Sequence, residues 1–186
     1  MALDPDLFDR CRRADALAWR RLYRDYAGRV FRWAVLRGLR AMEAEDAAQE
    51  VLAIACRRIG QCTAAAAFDA WLYQITRRVV ANARRKVWLR RVFAVERVPE
   101  PAFVDGPGPE VELAVRACLA RMPDDQAEVL LLADVEGYTR EEVADMIGRP
   151  PGTVASRLRL GREAFRRLWA DLRPDGAASP LAVEER

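Results

Sequence analysis

The sequence predicts an all-α protein of two small helical domains joined by a Pro/Gly-rich linker, the C-terminal domain containing a helix-turn-helix. Three observations carry this reading. Apolar residues recur at three- and four-residue spacing along most of the chain, and strict alternation of the kind a strand needs is absent. Prolines and glycines gather between Arg97 and Glu110, in RVPEPAFVDGPGPE. Helix-stopping and helix-starting residues lie close together within the segment from Tyr138 to Arg167. At 186 residues, 52% hydrophobic and 32% charged, the chain can build two such cores beneath a charged surface.

The first domain is placed at residues 1–94. Leu22, Tyr26, Val30 and Trp33 form one buried stripe of a helix over residues 17–36, with Tyr23 beside it. A helix from Glu43 to Ile59 buries Ala47, Val51, Ile54, Ala55 and Ile59, and one from Phe68 to Arg90 turns Trp71, Leu72, Ile75, Val79 and Ala83 inward. The FxxWL spacing favours core positions for Phe68 and Trp71 over a base-stacking role. Four prolines and two glycines exclude regular structure from Arg97 to Glu110, so residues 95–112 read as an extended linker.

The second domain, residues 113–173, opens with helices at about 111–121 and 124–135, the latter N-capped by Asp124. Thr139 then caps a short helix, and Glu142 three residues later completes a capping box. Ala144 is small where two helices cross, and Gly148 supplies the left-handed conformation that ends the helix. Pro150 and Pro151 forbid its continuation, and Gly152-Thr153 starts the next one. Val154 and Leu158 fall on the buried face of that second helix, leaving Arg157, Arg159 and Arg162 pointing outward. A helix braced in this way fits a DNA major groove, where arginines reach phosphates and guanine edges. The plainer alternative is a helical hairpin with a solvated arginine face. The tail, residues 174–186, is too small and polar to pack and is expected to be disordered.

A formal charge of +3 conceals strong segregation. Arg77, Arg78, Arg84, Arg85, Lys86, Arg90, Arg91 and Arg97 face a single acid, Glu96, in one stretch, whereas Asp124 to Asp145 is rich in carboxylates. Two basic blocks around an acidic one suggest two contacts with a polyanion. Lys86 is the only lysine. A guanidinium suits bidentate phosphate and base contacts, but a GC-rich genome produces the same bias. No apolar run is long enough for a membrane span. The acids of MALDPDLFDR do not suit a signal peptide, so a cytoplasmic location is expected. Four cysteines without a CxxC, and no histidine, argue against a zinc site. The thiols are expected to be small buried residues, and no cofactor is expected. The sequence has no Gly-x-x-x-x-Gly-Lys loop, and Ser156 and Ser179 lack an activating partner, so an enzyme is not expected.

The block EAEDAAQEVLAIACRRIG (Glu43 to Gly60), then FDAWLYQITRRVVANARRK (Phe68 to Lys86) and PPGTVASRLRLGREAFRRL, resembles the small two-domain extracytoplasmic-function sigma factors of bacterial RNA polymerase. The similarity runs from about residue 5 to 172. It implies that Glu45, Asp46, Gln49 and Glu50 bind core polymerase at the clamp helices of its β′ subunit, with the β flap as a second contact. Asp46, Gln49 and Glu50 do share a helix face by spacing. It implies that Thr63, Trp71, Arg77, Arg78, Asn82, Arg85 and Lys86 meet the minus-ten element of promoter DNA. Thr139, Gly152, Thr153, Ala155, Ser156, Arg157, Arg159 and Arg162 would meet the minus-thirty-five element. It implies an anti-sigma factor as a further partner. The sequence departs from the family pattern in three places: alanines at 64–67 where the loop is usually charged, Arg78 where asparagine is frequent, and Ala155 and Leu160 at positions commonly basic.

The alternative is a free-standing helix-turn-helix repressor or activator. It would not need the Asp46/Glu50 face and would dimerise on a palindrome. Solution mass together with binding to core polymerase separates the two. Limited proteolysis is expected to cut first between Val98 and Gly108, or in the tail, and release two helical fragments. A fully protected linker would mean a shared core.

Overall fold

The computed structural model describes residues 3–93 and 109–172, with side chains described for 3–85 and, Arg116 aside, 114–171. Most of the expected linker and the whole tail thus lie outside the described residues. The chain divides into two compact units, Met1–Pro101 and Ala102–Arg186.

The first unit holds α1 (Pro5–Arg12), α2 (Ala16–Leu36), α3 (Ala41–Arg58), two 3-10 turns (Ile59–Gln61 and Ala65–Ala67) and α4 (Phe68–Phe93). Helix α1 lay outside the sequence reading because eight residues are too few to show periodicity. It begins with Pro5 in the first turn, and the Asp4 carboxylate accepts from the Asp6 N–H at 3.0 Å. Asp15 caps α2 by accepting from the N–H groups of Leu17 and Ala18, and Arg10 donates to the same carboxylate. The Ala18 N–H and the Arg10 guanidinium hold that carboxyl below its usual range.

The core forms where α2, α3 and α4 meet. Leu22, Val30 and Trp33 from α2 are fully buried against Ala44, Val51 and Ala55 of α3 and Phe68, Leu72 and Tyr73 of α4. The alanines let α3 approach closely, while Tyr26–Phe68 and Trp33–Tyr73 meet edge to face at 5.1 Å. Phe68 is core as expected. Trp71 is only half-buried and leans on Phe68 with ring centroids 5.7 Å apart, and Ile54 and Ala83 are also half-buried. Asp69, 9% exposed, accepts from the Tyr26 hydroxyl at 2.7 Å and from Arg29 at 2.9 Å.

The second unit holds α5 (Pro109–Arg121), α6 (Asp124–Leu130), a π turn (Leu131–Val135), α7 (Arg140–Ile147) and α8 (Pro151–Leu172). Cys118, Val129, Leu132, Val143, Met146, Val154 and Phe165 fill its core. At Gly161 of α8 a Cβ would sit 3.1 Å from the carbonyl oxygen of Gln126, so glycine lets α8 approach α6 a few tenths of an ångström more closely than a larger residue would.

Four expectations are corrected here. Helix α5 starts at Pro109, inside the expected linker, because proline is at home in the first turn. Pro123, not Asp124, occupies the N-cap of α6, and Asp124 and Asp125 lie in its first turn. The helix expected to run through Val135 loosens into a π turn at Leu131. Helix α8 begins at Pro151, one residue ahead of Gly152.

Cys11, Cys62 and Cys118 are buried as expected, but Cys56 is exposed. Burial, with a smaller contribution from Asp15, pushes the Cys11 thiol up to about 11. Among the described residues no helix is long and apolar enough to cross a membrane.

Removing the Asp69 carboxylate takes away the buried acceptor that Tyr26 and Arg29 share. We expect Asp69→Ala to cost about 3–5 kcal/mol in urea unfolding of the full chain. Asp25→Ala removes only exposed contacts at 3.7 Å to Arg21 and Arg24 and should cost less than about 1 kcal/mol. Equal losses would show that Asp69 does not fix this unit.

Candidate polymerase and nucleic-acid interfaces

Helix α3 separates its two faces sharply. Ala44, Ala47, Ala48 and Val51 are buried, whereas Glu45, Asp46, Gln49 and Glu50 are all exposed. Glu43 is set apart from this edge because it caps the helix, accepting from the Arg40 N–H at 3.1 Å and its guanidinium at 2.6 Å. Among the described residues, no cation pairs with Glu45, Asp46 or Glu50. The edge is a line of uncompensated negative charge on a rigid helix.

Helix α4 has the opposite character. Trp71, Arg78, Asn82 and Arg85 follow a spacing of seven, four and three residues, which places them on one face. Arg78, Asn82 and Arg85 are exposed and Arg77 is half-buried, while the side chain of Lys86 lies outside the described residues. Thr63 is exposed in the loop leading to α4. Cys62 anchors that loop, its N–H donating to the Ile59 carbonyl at 3.0 Å and its thiol to the Ala64 carbonyl at 3.4 Å. The face offers guanidinium, amide and aromatic groups, which suit unstacked bases and phosphates.

In the second unit the capping box forms as expected. The Glu142 N–H donates to the Thr139 hydroxyl at 3.2 Å, and the Thr139 N–H donates to the Glu142 carboxylate at 2.8 Å. Thr139 is therefore occupied in shaping α7, which ends at Gly148 with φ 66°. The turn closes as Thr153 and Val154 donate to the Pro150 carbonyl, setting the direction of α8. Gly152, Ser156 and Arg159 are exposed on α8, and Thr153 and Ala155 are half-buried. The Ser156 hydroxyl donates back to the Gly152 carbonyl at 3.0 Å.

Two of the three α8 arginines, Arg157 and Arg162, pair with carboxylates of the same unit. Arg162 donates twice to Asp134, at 2.9 and 2.6 Å, and this pairing raises its pKa above the ordinary arginine value. Arg157 lies 3.0 Å from Asp125, with a side chain only 25% exposed. Both residues flank the buried stripe, where long side chains reach back across the helix to the neighbouring element. Arg159 alone matches the expectation, at 71% exposure with a loose 3.7 Å contact to Glu163. Exposed Arg149, Arg166 and Arg167 add positive charge that motif spacing alone did not single out.

Residues 22–90 match the family described as Sigma-70 region 2, and residues 112–165 match Sigma-70, region 4. The RNA polymerase sigma-H factor of Pseudomonas aeruginosa is 30% identical over 198 residues, covering 97% of this chain and 96% of that protein. The ECF RNA polymerase sigma factor SigM of Mycobacterium tuberculosis is 29% identical, covering 83% and 78%. The sigma factor RpoE of Bartonella quintana, solved in complex with the anti-sigma factor NepR, shares the fold. Its TM-score is 0.66 at 21% identity, over 81% of this chain and 96% of that one.

The geometry separates structural from exposed arginines by experiment. Arg162→Ala should destabilise the protein by about 1.5–3 kcal/mol, since it strands a carboxylate that is only 12% exposed. Arg159→Ala should change stability by less than about 0.5 kcal/mol. Thermal unfolding of both variants checks the assignment.

Proposed function

This chain belongs to the extracytoplasmic-function group of the sigma-70 family of RNA polymerase sigma factors, and we propose that its two units divide promoter recognition between the faces described above. The observation that carries the proposal is the uncompensated acidic edge of α3 on the same unit as the Trp71/Arg78/Asn82/Arg85 face of α4. Glu45, Asp46, Gln49 and Glu50 dock on the β′ clamp helices of core polymerase. Beside them, α4 with Thr63, Arg77 and Lys86 holds the minus-ten strand after melting. An aromatic ring, an amide and guanidinium groups offset the cost of unstacking bases.

The second unit reads the minus-thirty-five duplex through α8. Arg159 leads the contact, with Gly152, Thr153, Ala155, Ser156 and Arg157 around it, and the same unit meets the β flap. Thr139 contributes by holding the preceding helix, and Arg162 by holding α8 on the π turn. The family consists of transcription initiation factors, and this subunit acts without catalytic chemistry of its own, in the cytoplasm alongside core polymerase. An anti-sigma factor as inhibitor fits the complex in which the Bartonella relative of this fold was solved. A free-standing repressor leaves the acidic edge of α3 without a purpose.

Asp46→Arg together with Glu50→Arg should abolish co-migration with core polymerase at unchanged helicity, because like charges across an interface cost several kcal/mol. Co-migration at wild-type affinity overturns the docking assignment. On a promoter recovered by run-off transcription from genomic fragments, Arg78→Ala and Asn82→Ala should slow opening of duplex DNA. A pre-melted bubble should partly rescue them. Arg159→Ala should weaken duplex binding without bubble rescue. Permanganate footprints of the same shape for Asn82→Ala and Arg159→Ala would refute the division.

A further inference from the structure

The two arginine–carboxylate contacts of α8 differ in kind. Arg162 commits Nε and Nη2 to both oxygens of Asp134, whose side chain is 12% exposed, so that edge of the guanidinium is spent. Arg157 meets Asp125 through Nη2 alone, at 3.0 Å, and the carboxylate is 48% exposed. A guanidinium has five N–H donors in a planar fork. One contact at Nη2 leaves its second hydrogen and the Nη1 pair unspent, and these form an intact edge. Bidentate recognition of guanine O6 and N7 requires such an edge.

We propose that Asp125 is a positioning residue for promoter selectivity, holding Arg157 by an ion pair at Nη2 so that its remaining edge is presented to a guanine of the upstream element. The inference rests on the reading of α8 as the helix that enters the major groove. A phosphate contact tolerates a loosely held guanidinium, because acceptors recur along the whole backbone. A guanine edge does not, since two bonds must form in one plane. Restraint by Asp125 therefore favours base contact over backbone contact. The negative charge of Asp125 also repels every phosphate, whatever the sequence. Its removal should weaken the matched contact while mildly favouring DNA of any sequence, so the selectivity ratio reports positioning and the mean affinity reports charge.

The test uses holoenzyme reconstituted from the full chain and core polymerase. An upstream element is first selected from a promoter pool randomised at that element, and competition binding then compares it with each single-base variant. Asp125→Asn should reduce the preference for guanine at one position by about three- to tenfold, a share of what a bidentate arginine contact provides. Arg157→Ala should abolish preference at that same position, and adding Asp125→Asn to it should change nothing further. Asp125→Glu, which keeps the carboxylate, should restore part of the preference. Thermal unfolding of Asp125→Asn beside wild type guards against a folding defect. Preference unchanged at every position, or a uniform gain in affinity for all duplexes, overturns the proposal, as does an Asp125→Asn effect that persists without Arg157. If neither Arg157→Ala nor Arg159→Ala alters selectivity, the reading of α8 fails and the inference falls with it.

Discussion

The carboxylate of Asp69 enters the core of the first unit in the first turn of α4 and meets the Tyr26 hydroxyl and the Arg29 guanidinium of α2 there. A buried carboxylate is tolerable only when charge and lone pairs are met, so the position of one helix end relative to the other helix is tightly defined. The helix dipole at that end favours the same charge. With its start held against α2 by this cluster and by the Tyr26–Phe68 contact, α4 has a fixed direction and rotation. Its far polar residues, Arg78, Asn82 and Arg85, inherit that rotation as a single face. Rigidity would suit the role proposed for this face, because ordering it on binding would cost affinity.

The second unit solves the same problem with different residues. Gly161 lets α8 cross α6 closely, and Arg162 then reaches Asp134 in the π turn just beyond α6. The extra residue in the turn at Leu131–Val135 is a local departure from α-helical geometry, and it supplies the carboxylate that Arg162 takes. Capping at Thr139 and the left-handed Gly148 set the other flank of α8. Three of these four devices are polar or conformational, which is how a unit with a small core holds one helix precisely oriented.

Local chemistry was the legible part of the sequence. The Thr139/Glu142 box, the Gly148 stop and the apolar stripe of α2 are written within a few residues of where they act and formed as read, whereas the stripes of α3 and α4 formed except at Ile54, Trp71 and Ala83. What the sequence hid was partnership at a distance. Arg162 and Asp134 are 28 residues apart, and Arg29 and Asp69 are 40 apart. Helical spacing alone does not reveal whether a shoulder arginine folds back on a neighbour or stays in water. For that reason Arg157, Arg159 and Arg162 looked equivalent although only Arg159 is broadly exposed. Cys56 escaped for a related reason, because a small apolar residue on an exposed face costs little and leaves no trace in periodicity.

Once structural pairs are set aside, the remaining charge is what defines the interfaces. Arg29, Arg40 and Arg162 answer carboxylates within their own units, and these pairs cancel part of the nominal charge. Among the described residues, the charges left without an ion pair include the negative edge of α3, Arg78 and Arg85 on α4, and Arg166 and Arg167 on α8. With a screening length of roughly 8 Å in physiological salt, each edge acts mainly on what touches it, so a formal net charge of only +3 says little about either edge. The two signs respond to salt by different laws. On the proposed assignment, the acidic edge would face a few charges on a protein and lose only Coulomb attraction as salt rises. The basic faces would neutralise phosphates and release condensed counterions, so their affinity would fall as a power of salt concentration set by the number of contacts. With the faces assigned in this way, the polymerase contact would outlast the DNA contacts as salt rises, the order of strength required of a subunit that stays with the enzyme while it samples promoters.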